Sequence, residues 1–170
     1  MTKKNIADNK ASNETLILGV GNLLLKDEGI GVHVIRELQK INLPAGVKVM
    51  DGGTGGLALF DDITAFKNVI IVDAMQHSNK PGKITKFTPE NVQPGNADKK
   101  HSFHQDSITE VLELAKSLGK CPQVVIFGIQ PKEINWGLEP TPELKAIVPS
   151  AVKRILKETK QINQGNTAAS

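Results

Sequence analysis

Two kinds of apolar run alternate along this chain. Thr15–Val20, Asn68–Val72 and Gln123–Ile129 are short, nearly continuous and rich in Val, Ile and Leu, the pattern of strands buried on both faces, and Val47–Met50, after the turn at Pro44-Ala-Gly46, reads as a further strand. Between them apolar residues recur at intervals of three and four: Ile30, Val34, Ile35 and Leu38, then Leu59, Ile63 and Phe66. That spacing lays one apolar stripe along a helix and predicts helices from Glu28 to about Lys40 and over Leu57–Phe66. Ser107-Ile-Thr-Glu110 has the form of a capping box, which starts a third helix that stops at Gly119. Pro142 opens a fourth, amphipathic to about Glu158. Pro81-Gly82 introduces a short strand, Lys83–Phe87, whose alternating side chains suit an edge or hairpin position.

Strands that alternate with helices imply a twisted, mostly parallel sheet of about five strands with helices on both faces. The expected fold is therefore α/β, a single three-layer domain, and a length of 170 residues suits one domain. The polar ends, residues 1–13 and 160–170, read as disordered tails around a domain at 14–159.

Composition narrows the function. Apolar content of 39% and charged content of 23% are ordinary for a soluble domain. The net charge is only +3, and Lys3-Lys4 and Lys99-Lys100 are the only lysine pairs, so no nucleic-acid track is present. The single cysteine, Cys121, excludes an internal disulfide and a thiolate-rich metal site. Residues 1–14 lack the apolar segment of a signal peptide, and no run approaches the roughly 20 apolar residues of a membrane span. A cytoplasmic protein with no membrane partner is expected.

Three predicted strands end in polar residues: Gly19–Glu28 follows the first, Asp51–Gly56 the second and Asp73 the third. In a parallel sheet these ends share one edge, where open α/β sheets bind their ligands. The glycines after the first strand turn the chain and deliver Asp27 and Glu28 to a helix start. Acids there also cap the helix and favour its dipole, a role that weighs more for Asp27 than for Glu28. His101 and His104 lie in the polar loop before the third helix, where either can be a surface residue. A histidine that reached the edge beside Glu28 and Asp73 would complete an N,O,O set suited to a borderline divalent ion such as Ni²⁺ or Zn²⁺. His33 and His77 read as structural or solvated, Cys121 as a small buried residue, and Phe103, Phe127 and Trp136 as packing residues. The serine-hydrolase elbow, the His-Glu-x-x-His helix and the phosphate loop are all missing. The third glycine of a dinucleotide fingerprint would fall at Leu24.

Five blocks, in order, resemble the hydrogenase maturation endopeptidases, the processing proteases of the large subunit of nickel–iron hydrogenases. They are Gly19-Val-Gly-Asn-Leu-Leu-Leu-Lys-Asp-Glu-Gly-Ile-Gly-Val32, Asp51-Gly-Gly-Thr-Gly-Gly56, Val72-Asp-Ala74, Ser102-Phe-His-Gln105 and Phe127-Gly-Ile-Gln-Pro131. The likeness runs from about residue 15 to residue 157; the family often has a proline where this chain has Phe103. The resemblance implies that Glu28, Asp73 and His104 are the metal-binding and catalytic trio, with His104 preferred over His101. It makes the hydrogenase large-subunit precursor the partner, cut at its C-terminus once nickel is in place. Nickel, the implied metal, then arrives with the substrate and need not be a resident cofactor, and Zn or Cd could take its place in a crystal. Asp51, Gly52, Gly53 and Thr54 are expected to receive the substrate's tail, because flexible backbone can pair with an extended peptide. A monomer is expected. The alternative is a chaperone that checks nickel loading without cutting.

Overall fold

The structure is a computed structural model that describes residues 15–91 and 105–167. At its centre are β1 (Thr15–Val20) and β3 (Asn68–Ala74), buried at every position and parallel to each other. β2 (Val47–Gly53) lies parallel on the free side of β1, and β5 (Gln123–Ile129) lies parallel on the free side of β3. β4 (Ile84–Phe87) is antiparallel to β5 and gives the order β2-β1-β3-β5-β4. The continuous apolar runs of β1, β3 and β5 are thus the inner strands, and the alternating run of β4 is at one edge, as its pattern predicts; β2 is the other edge and is only partly buried.

Successive residues of the strands feed two cores. Leu16, Leu18, Val69, Ile71 and Ile126 pack with α2 (Phe60–Thr64) and α3 (Gln105–Ser117) through Ile63, Ile108, Val111 and Leu112. On the other face Ile17, Ile70, Val72 and Ile129 meet Ile30, Val34, Ile35 and Leu38 of α1 (Ile30–Leu38) and Leu144 and Ile155 of α4 (Pro142–Thr167). The expected three-layer α/β domain is therefore what forms.

Element ends depart from the expectation where tertiary contacts intervene. The helix predicted from Glu28 begins as a 3₁₀ turn, Lys26–Gly29, and is α-helical only from Ile30. Leu57–Phe66 divides into a 3₁₀ turn at Gly56–Leu59 and the short α2. β2 continues through Asp51 to Gly53 and β3 through Asp73 to Ala74, because Gly19, Val20 and Gly128 offer them ladder partners. α3 starts at Gln105, which puts Ser107 within its first turn and not at a cap. α4 runs past Glu158 to Thr167, so residues 160–167, expected as tail, are helical. Thr159 is buried there and its hydroxyl donates to the Ile155 carbonyl at 2.9 Å, while Thr15 Oγ1 donates to Asn163 Oδ1 at 3.3 Å. The expected N-terminal tail lies outside the described residues.

Candidate active site at the carboxyl edge of the sheet

The first turn of α1 is pressed onto the ends of β1 and β3. A Cβ at Gly31 would stand 2.2 Å from the Val72 carbonyl oxygen and 2.4 Å from that of Val20. No side chain fits there. At Gly21, φ is +143° and a Cβ would lie 2.1 Å from the Glu28 carbonyl oxygen. Both glycines let the acid-bearing turn seat itself on the sheet edge, packed against β3. Glu28 is 2% exposed and Asp73 is 4% exposed. Asp73 follows Val69 and Ile71 on the α3 side of the sheet, in a cleft it shares with Met75, Ile108 and Leu112. Carboxylates are rarely buried this far, and two brought to one strand edge make this edge the candidate functional site.

Asp27 has a different task. It is fully buried, and its carboxylate accepts the backbone N–H groups of Lys132 and Glu133 at 2.9 Å each and that of Thr141 at 2.6 Å. The Thr141 hydroxyl donates to it as well, at 3.0 Å. It makes no side-chain cap to its own helix, so the capping role considered for it is replaced by a tie to the loop between β5 and α4. Further bonds reinforce that tie: Lys26 N–H donates to Gly137 O at 2.8 Å, Gly137 N–H to Leu24 O at 2.9 Å, and Lys26 Nζ pairs with Glu133 at 2.7 Å. They hold Lys26 at φ +47°, a backbone conformation that costs a non-glycine residue about 1–2 kcal/mol.

The expected substrate residues flank this turn. Asp51, Gly52 and Gly53 belong to the end of β2, with a bulge where the partners of Gly19 and Val20 are Asp51 and Gly53. Asp51 Oδ1 accepts the Gly53 N–H at 2.9 Å, and Gly53 O accepts the Gly21 N–H at 2.9 Å. Asp51 and Thr54 are exposed. Among the described residues β2 pairs only with β1, so its outer side is an open strand edge.

His104 and His101 lie outside the described residues. α3 begins one residue after His104, and its Ile108 and Leu112 line the cleft of Asp73. His77 is structural: Nδ1 donates to the Met75 carbonyl at 2.8 Å, and Nε2 is hydrogen-bonded to the Thr85 hydroxyl at 2.9 Å, accepting from it when the ring is neutral. Burial pushes its pKa below 6.5, against the raising effect of the Met75 carbonyl and with help from Lys83. His33, half-buried on α1, is likewise pushed down, by burial first and Arg36 second. Phe127 packs in the core as expected, and Phe103 lies outside the described residues. Two expectations fail. Cys121 is exposed, since it precedes the strand on an outer turn. Trp136 is 79% exposed, since its loop is held by backbone bonds and the Asp27 carboxylate, and not by apolar packing. The 132–141 loop was missed as a partner of the Glu28 turn; Gly137 between Trp136 and Leu138 was its one local signal.

No helix of the described residues is long and apolar enough to cross a membrane. The sequence profile of the hydrogenase maturation protease family matches residues 32–158. The Escherichia coli hydrogenase 2 maturation protease is 35% identical over 144 residues, 83% of this chain and 87% of that protein. The hydrogenase expression/formation protein HupD of Bradyrhizobium diazoefficiens is 36% identical over 142 residues, 81% of this chain and 74% of its own. Among solved structures, the E. coli hydrogenase maturating endopeptidase HybD superposes with a TM-score of 0.77 at 29% identity, covering 87% of this chain and 93% of HybD. The [NiFe] hydrogenase maturation protease HybD of Thermococcus kodakarensis does so with a TM-score of 0.71 at 30% identity, over 85% and 97%. With a sheet edge built to bury two carboxylates and likeness over nearly its whole described length, this chain belongs to the hydrogenase maturation protease family.

Proposed function

We propose that this protein is an endopeptidase that removes the C-terminal segment of a nickel–iron hydrogenase large-subunit precursor after nickel has been inserted. The burial of Glu28 and Asp73 at one sheet edge, beside the open strand β2, carries this reading. Two carboxylates with the imidazole of His104 form an N,O,O set that suits nickel and leaves positions open for the ion's other ligands. The ion comes with the substrate, so the trio recognises loaded precursor and cleavage waits for assembly. The precursor's tail lies along Asp51, Gly52, Gly53 and Thr54, adding its backbone to the free edge of β2. Hydrolysis adds water across the peptide bond: the water oxygen joins the carbonyl carbon, and the departing amine takes up a proton. One of the two carboxylates takes the proton from the attacking water as general base. We place the reaction in the cytoplasm, where an exposed free thiol such as Cys121 stays reduced, and expect a monomer.

The test is incubation of the purified protein with nickel-loaded and nickel-free precursor, followed by mass spectrometry. A C-terminal peptide released from the loaded precursor alone is the expected result. An intact precursor in a stable complex would instead identify a chaperone that checks nickel without cutting.

A further inference from the structure

Leu24, Trp136 and Leu138 are 49%, 79% and 65% exposed. They come together because the Gly137 N–H donates to Leu24 O and the Lys26 N–H to Gly137 O, which join the segment before Glu28 to the loop before α4. We propose that these three side chains form a docking surface for the folded body of the substrate precursor, receiving an apolar patch next to the point where its C-terminal segment emerges. The inference rests on the proteolytic reading above and adds a second contact to it.

Three observations carry it. The first is rigidity. The loop that presents Trp136 is held by the four bonds to Asp27 and by the Lys26–Glu133 ion pair. Its exposed apolar tip is therefore pre-organised, which lowers the entropy lost on binding. The second is continuity. Gly137 is bonded both to Leu24 and to Lys26 of the turn that carries Glu28, so the surface adjoins the turn that the substrate's tail must reach. The third is charge. Lys26 pairs with Glu133, Lys132 with Glu143 and Lys145 with Glu139. These three lysines are thus compensated within the chain, which favours an apolar protein surface over a polyanion. Tryptophan is also among the residues enriched at interface hot spots.

The experiment measures cleavage of nickel-loaded precursor over a range of precursor concentrations by wild type, Trp136→Ala, Leu138→Asn and the remote control Leu118→Ala, whose side chain is also exposed. The first two are expected to raise KM about tenfold or more with kcat little changed, and the control to match wild type. Melting temperatures should be unchanged throughout, because none of these side chains is buried. As a direct probe, 5-fluorotryptophan places a single ¹⁹F label in the chain, at Trp136; its resonance should shift or broaden on addition of unlabelled precursor. An unchanged KM together with an unmoved resonance, while wild type cuts, overturns the docking surface alone. If wild type does not cut, the proteolytic reading falls. A complex that Trp136→Ala weakens would then still support the surface, and absence of any complex overturns both.

Discussion

The Asp27 carboxylate accepts the backbone N–H of Thr141 at 2.6 Å across 114 residues of sequence. Thr141 directly precedes α4, so this bond joins the turn that carries Glu28 to the last helix of the fold.

Asp27→Asn should destabilise the protein by about 2–4 kcal/mol, because hydrogen bonds to a buried charge are strong and an amide would turn an N–H toward one of the donors. Urea denaturation measures this. A change of only a few tenths of a kcal/mol would mean that the loop is held by its backbone bonds alone.

Gly31→Ala should cost about 3 kcal/mol or abolish folding, since its Cβ would meet two carbonyl oxygens of the sheet within 2.4 Å. Backbone atoms cannot rotate away as a side chain can. A wild-type unfolding midpoint would show that α1 does not rest on β1 and β3.

Glu28→Gln and Asp73→Asn should each lower precursor cleavage by about 10²-fold or more while leaving the circular dichroism spectrum intact. His104→Ala is expected to do the same. Gel analysis of the precursor distinguishes them from wild type, and normal processing by all three variants would remove the assigned site.

His77 makes stability depend on pH. Burial places its folded pKa below the ordinary 6.5, so between those two values the unfolded chain binds more protons than the folded one. Stability is then complete above about pH 6.5 and is lost as pH falls through the lower folded value. His33 adds a contribution of the same sign. Denaturation curves from pH 7.5 to 5 should show this loss, and His77→Gln should make it shallower. Identical profiles for variant and wild type would mean that His77 titrates alike in both states.

The candidate site was legible in the sequence as far as its two carboxylates follow from local position. Glu28 and Asp73 stand at the ends of apolar strands, and parallel strands deliver their carboxyl ends to one edge whatever lies between them. Asp27 was misread for the opposite reason. An acid at a helix start has a local use as a cap, and nothing near it in sequence reveals donors at Lys132, Glu133 and Thr141. Trp136 likewise reads as core from its chemistry alone, and its exposure depends on a loop held by distant hydrogen bonds.

By itself, then, the sequence determined the layers, the parallel sheet, the edge position of β4 and the polar strand ends. Each of these rests on periodicity or short-range turn chemistry, which operates between neighbours. Tertiary structure alone decided where strands and helices stop, that Asp27 of the two adjacent acids is tied to a distant loop, and which aromatic residue faces water. Those outcomes depend on ladder partners and hydrogen-bond donors brought together from across the chain, whose positions exist only once the sheet has formed.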